Sequence, residues 1–170
     1  MTSFGQVAVL AILNWLHLVA VVVWIGAMTA NMLVVLPAAA ATLPPPVMGK
    51  FMGALMKKFR VIAYGCMVTL IVTGFLMMIQ NAGYLGLLKL QNAWTIVLLL
   101  KHIVIAGLVI LGIYSFEILA PQVGKIAAKG PSPELAGMQA RQMKLARLGL
   151  LLGMIILALT AVDTAISALP

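Results

Sequence analysis

Four side chains in this chain can do chemistry inside an apolar setting: His17, Lys101, His102 and Asp163. Each falls within a long hydrophobic run, whereas the other charged residues lie at or beyond the ends of such runs. An ionisable group placed in a bilayer costs about 2.5–3.5 kcal/mol even on lenient scales, so residues of this kind are candidates for function. A neutral imidazole offers a base and a metal ligand. A lysine beside an aspartate offers an ion pair or a charged cradle for a polar ligand. The stretch LLLKHIVI, Leu98 to Ile105, is the densest of these, with a lysine and a histidine in succession.

The elements that must hold these residues follow from composition. Of 170 residues, 64% are hydrophobic and 8% charged, and the mean hydropathy is +1.18. A water-soluble domain of this size exposes too much surface to be so apolar. One span takes about 20 apolar residues. The runs predict four spans, at about Val7–Leu36, Val61–Gln80, Ala93–Leu119 and Leu148–Leu169. Span 1 is too long for the apolar core of a cleaved signal. Short connections between spans predict an all-α, antiparallel, up-and-down integral membrane four-helix bundle.

Lys50, Lys57, Lys58 and Arg60 lie between spans 1 and 2. Lys125, Lys129, Arg141, Lys144 and Arg147 lie between spans 3 and 4, and Lys89 stands alone between spans 2 and 3. The positive-inside rule then places both termini outside, N-out and C-out, and both basic loops in the cytoplasm of a cell bounded by an inner (plasma) membrane. The net charge of +8 fits anionic lipid headgroups rather than nucleic acid, because the basic residues adjoin the spans. The single cysteine, Cys66, cannot form an intrachain disulfide and reads as a small packing residue.

Two loop segments carry their own structure. Met48, Phe51, Met52, Leu55, Met56 and Phe59 follow a helical period, so residues 47–60 form either an interfacial amphipathic helix or an extension of span 2. Ser132-Pro133-Glu134 has a capping residue, a proline at the first helical position and an acid in the first turn, which predicts a helix start. No internal repeat is evident in the residues themselves.

Spans 1 and 3 run in the same direction. His17 and His102 each sit about ten residues into their span, roughly 15 Å deep at 1.5 Å per residue. As diagonal partners in a square of helices 8–10 Å apart, the two spans stand roughly 11–14 Å from each other. That gap suits a metal held between two imidazoles, as in a bis-histidine haem b. Asn14, His17 and Trp24 share one stripe of span 1, which makes Asn14 and Trp24 candidate cofactor contacts. Asp163 on span 4 lies near the level of Lys101. It is expected to pair with it, or to share a polar ligand with it; a haem propionate is a further partner for Lys101, and the alternative is a lysine that snorkels outward. The alternatives for each histidine are a structural hydrogen bond across the bundle, a place in a small wet cavity, and another metal or a proton path.

The segments NWLHLVAVVVWIGAM (Asn14–Met28) and LLLKHIVIAGLVILGIYS (Leu98–Ser115) resemble the opening helix and the lysine-bearing helix of the CopD-like membrane domain. The resemblance implies copper resistance or uptake across the inner membrane. HemJ-like porphyrinogen oxidases, which are related, imply a membrane histidine and lysine used with haem b, here His17 and Lys101. The chain departs from full-length CopD in being a bare four-span unit without a copper-collecting outer domain.

The leading expectation is a b-type haem protein that passes single electrons, a membrane oxidoreductase in the wider sense. Its partner would be a quinone or a redox subunit, with or without a second copy of the chain. The alternatives are copper transport through Met28, Met67, Met77, Met78, Cys66 and the histidines, a HemJ-like oxidase, and a non-catalytic subunit of a larger membrane complex.

Overall fold

A computed structural model describes residues 4–81, 84, 86 and 92–168. Among them the chain is helical, without strands, and forms a membrane four-helix bundle. Helix α1 spans Phe4–Ala30 and passes through a π-helical segment, Asn31–Val35, into α2, Leu36–Thr42. Helix α3 covers Pro45–Gln80. Helix α4, Ala93–Ile113, passes through a second π-helical segment, Tyr114–Leu119, into α5, Ala120–Ala127, and α6 covers Pro133–Ala168. The four apolar rods long enough to cross a membrane are Phe4–Thr42, Val47–Gln80, Ala93–Ala127 and Pro133–Ala168.

All four spans are longer than the hydrophobic runs alone imply. Residues 47–60 are continuous with span 2, so the extension is realised and a separate interfacial helix is not. Span 4 begins at Pro133, where Ser132 Oγ accepts from Leu135 N–H at 3.1 Å, as a capping serine does. Leu169, the expected last residue of that span, and Lys89 lie outside the described residues. Asn92 caps α4 in the same manner, its Oδ1 accepting from Thr95 N–H at 2.7 Å. Between α5 and α6 the backbone turns at Gly130, whose φ of +101° is open to glycine and strained for other residues.

Helix α1 packs along α3, and α4 packs along α6. Helices α1 and α6 join these two hairpins, and α3 touches α5 near the basic loops. Side chains buried between the helices are few, and Ala20, Ala63, Cys66, Met67, Leu98 and Leu108 are among them. Large apolar residues instead cover the outside: Val22, Val61 and Ile110 are 69%, 70% and 68% exposed. A surface of that kind is stable only against lipid. The chain is therefore an integral membrane protein.

The two hairpins repeat one design, although their residues show no repeat. In each, the first helix widens into a π-helical segment, where Leu36 N–H reaches back to Asn31 O and Ala120 N–H to Ser115 O. A proline follows one residue later, Pro37 and Pro121. Proline lacks the N–H that would close the next helical bond and crowds the preceding turn, so the local ladder shifts. The second helix of each hairpin then opens at a proline and runs for 36 residues. Both hairpins run in the same direction through the membrane, so they are parallel repeats. His17 lies twenty residues before Pro37, and Lys101 lies twenty residues before Pro121.

Candidate functional site: a polar layer and a methionine-lined cavity

The polar layer consists of one pair per hairpin. In the first, His17 Nδ1 lies 2.8 Å from Thr73 Oγ1, joining α1 to α3. The Thr73 hydroxyl donates to Thr69 O at 2.6 Å, so its hydrogen is committed. Nδ1–H of His17 must therefore be the donor, which leaves Nε2 with a free lone pair. The ring packs where α3 is thinnest: a Cβ on Gly74 would lie 3.4 Å from His17 Cε1.

In the second hairpin, Lys101 Nζ donates to Asp163 Oδ2 at 2.8 Å, joining α4 to α6. The side chains are only 17% and 15% exposed. Asp163 Oδ1 is buried and has no hydrogen-bond partner.

His102 is not part of this layer. Successive helical residues are about 100° apart, so Lys101 and His102 cannot both face the bundle interior. The ion pair takes the inner position, and His102 is exposed on the outside of α4. Its Nδ1–H donates to Leu98 O of its own helix at 2.7 Å, which satisfies the ring without help from another helix. The expected bis-histidine pair is thus not formed, and this geometry does not offer a haem two axial imidazoles. Asn14 is also exposed, beside Gln80 and Asn81 in a shallow cleft between α1 and α3. Among the described residues no three His, Cys, Asp or Glu side chains group as a metal site.

Trp24, the other residue expected near His17, lines a different feature. Seven residues beyond His17 and seven beyond Lys101, about 10 Å along the helices at 1.5 Å per residue, Trp24 and Leu108 begin a cavity of about 140 Å³. All four spans line it. Span 1 supplies Met28, Asn31 and Met32, and span 2 supplies Met56, Phe59 and Met67. Gly112, Ser115 and Phe116 come from span 3, and Gln142 and Gly149 from span 4. Both π-helical segments face it, through Asn31 and Met32 on one side and Ser115 and Phe116 on the other. Helices widen in this way frequently at functional positions.

The methionines reach across the hairpin boundary. A Cβ on Gly149 would lie 3.2 Å from Met28 Cε, and one on Gly112 would lie 3.9 Å from Met67 Cε. Asn31 Oδ1 is buried without a hydrogen-bond partner. The cavity is therefore lined by four methionines and by Asn31, all neutral side chains. Met77 and Met78 lie elsewhere: Met77 in the shallow cleft, and Met78 in a cluster with Trp94 and Leu98. Cys66 is buried and free, beside Met67 in sequence.

Toward the basic loops, Glu117 closes the other side of the bundle. Tyr64 Oη donates to Glu117 Oε1 at 2.7 Å, and Arg60 Nη1 stands 3.5 Å from Oε2. Tyr64 also meets Phe116 edge-on, with ring centroids 6.2 Å apart. Arg141 lies over the Tyr114 ring, 5.5 Å from its centroid. Spans 2 and 3 are clasped there by polar groups, whereas spans 1 and 4 meet through glycines.

Over residues 19–132 the chain matches the family described as domain of unknown function DUF4149. It belongs to that family. No curated protein and no solved structure matches it. The matched segment of this DUF4149 member holds Trp24, Lys101, Glu117 and both π-helical segments, while His17 and Asp163 lie on either side of it.

Proposed function

We propose that this protein is a membrane carrier for a soft monovalent cation of the copper(I) class, working between the two hairpins. The observation that carries this reading is the set of Met28, Met32, Met56 and Met67 around one cavity, which Asn31 also lines. Thioethers are soft, uncharged ligands that select Cu(I) over hard divalent ions. Trp24 lines the same cavity, and an indole ring is a group that attracts cations. The volume fits the reading: about 140 Å³ is ample for an ion. It falls well below the roughly 300–1,000 Å³ of pockets for drug-sized ligands, and a porphyrin is larger still.

The paired hairpins support transport as well. Carriers built from parallel repeats bind their cargo at the boundary between repeats and rock one half against the other. Copper handling is also what the CopD resemblance implies. On this reading the protein works in a bacterial inner membrane with both termini outside, and the basic loops meet the cytoplasmic leaflet.

The test is binding of Ag(I), a redox-inert soft cation, to the purified protein, followed by uptake into proteoliposomes. One Ag(I) per chain is expected. Met28→Leu and Met67→Leu conserve volume, and each should weaken binding beyond the roughly tenfold that loss of an outer-shell partner costs. Uptake no faster than in empty liposomes overturns the carrier. A haem absorption band in the purified protein, high-spin and lost in His17→Ala, overturns it in favour of haem held by His17 alone.

A further inference from the structure

The carrier reading leaves the polar layer without a task, although it holds the most expensive groups in the bundle. We infer that the Lys101–Asp163 pair releases one proton for each cation taken up, so that transport is an electroneutral exchange. This rests on the carrier reading and concerns a different place, about 10 Å along the helices from the cavity at 1.5 Å per residue.

The groups that face this place are few. From α4 comes Lys101, and from α6 comes Asp163, the only charged residue of that helix beyond Arg147. His17 of α1 lies at the equivalent position of the first hairpin, held by Thr73 of α3, which is not titratable. His102, next in sequence to Lys101, is turned outward. The cavity itself has only neutral ligands among the side chains named above, so a cation entering it brings an uncompensated unit charge into a medium of low dielectric. The pair as it stands is neutral overall and gives that charge no relief.

Loss of one proton changes this. An Nζ–H bond of the Lys101 ammonium breaks, its electron pair stays on nitrogen, and the proton passes to water at the end of the bundle nearer the termini. Asp163 remains a carboxylate. The layer goes from net zero to minus one, which matches the plus one of the cargo, and the proton returns when the cation leaves. Lysine suits this step because a desolvated ammonium can shed its proton, whereas a guanidinium in a protein does not. Two features prepare the layer for a moving proton: the unpartnered Asp163 Oδ1 and the free lone pair on His17 Nε2.

The experiment uses the full chain in proteoliposomes that enclose a pH-sensitive dye, with Ag(I) as the cation and the membrane potential clamped. Wild-type protein is expected to release one proton per Ag(I) taken up. Lys101→Arg keeps the charge and the partner carboxylate but cannot give up the proton. Its release should fall to the empty-liposome level and its Ag(I) uptake should slow with it, whereas a purely structural ion pair would be rescued by arginine. The neutral double variant Lys101→Met/Asp163→Leu should move Ag(I) without protons and become sensitive to membrane potential. Wild-type proton release in Lys101→Arg overturns the inference, as does loss of coupling in His17→Gln with coupling intact in Lys101→Arg. Ag(I) uptake without any proton signal in the wild type sinks the exchange and leaves the carrier standing. No uptake at all sinks both.

Discussion

The first hairpin secures its intramembrane polar residue with a neutral hydrogen bond, His17 to Thr73, and the second secures its own with an ion pair, Lys101 to Asp163. The two positions are equivalent by their distance from the proline that ends each π-helical segment. One backbone design therefore carries two levels of electrostatic risk. A neutral imidazole whose N–H finds one acceptor is settled. An ammonium in the same setting depends wholly on its carboxylate, and the carboxylate on it. The cavity follows the same division, with its four methionines all on the first hairpin and glycines facing two of them from the second.

The comparison breaks most visibly at Asp163. Asp163→Leu strands a positive charge in the membrane and should cost about 3–5 kcal/mol, read as a fall in the thermal unfolding midpoint in detergent. Adding Lys101→Met should recover most of it, and a double variant as unstable as the single one would refute the electrostatic account. The first hairpin should respond less. Thr73→Val leaves the His17 N–H without its acceptor and should cost about 1–3 kcal/mol by the same measurement. Removing the ring as well, in His17→Leu/Thr73→Val, should restore part of that loss. Glu117→Gln should matter least. Its ion pair with Arg60 is 44% exposed on both sides, and exposed pairs contribute about 0–1 kcal/mol. The glutamine can still accept from Tyr64, so a larger effect would make the clasp between spans 2 and 3 more than a surface contact.

Much of this was legible in the sequence, for reasons that differ by element. The four spans follow from apolar length and from the segregation of charge, which nothing else in 170 residues could produce. The Ser132 cap and the meeting of Lys101 with Asp163 follow from local chemistry and from depth. The direction of His102 does not. Lys101 and His102 are adjacent, only one can face inward, and depth is silent on which. The choice turns on need: an ammonium requires a carboxylate from another helix, while His102 is satisfied by Leu98 O.

The repeat escapes sequence reading because apolar residues exchange freely where lipid is the neighbour. Only Pro37, Pro121 and the equal lengths of α3 and α6 preserve it. The methionine set was half legible. Met28 and Met67 stood among the soft ligands, whereas Met32 and Met56 join them only through the packing of two helices.

At Gly149 a single hydrogen atom stands where any other residue would put a carbon, and that carbon would press on the Met28 methyl from 3.2 Å. The distance between the halves is thus fixed by something left out. Exchanging that one glycine for alanine or serine would act like a set screw, changing how far the sulfur reaches into the chamber without altering any residue that supplies one. If the protein carries soft cations as proposed, selectivity among ions of similar softness but different radius is set there, one methyl group at a time.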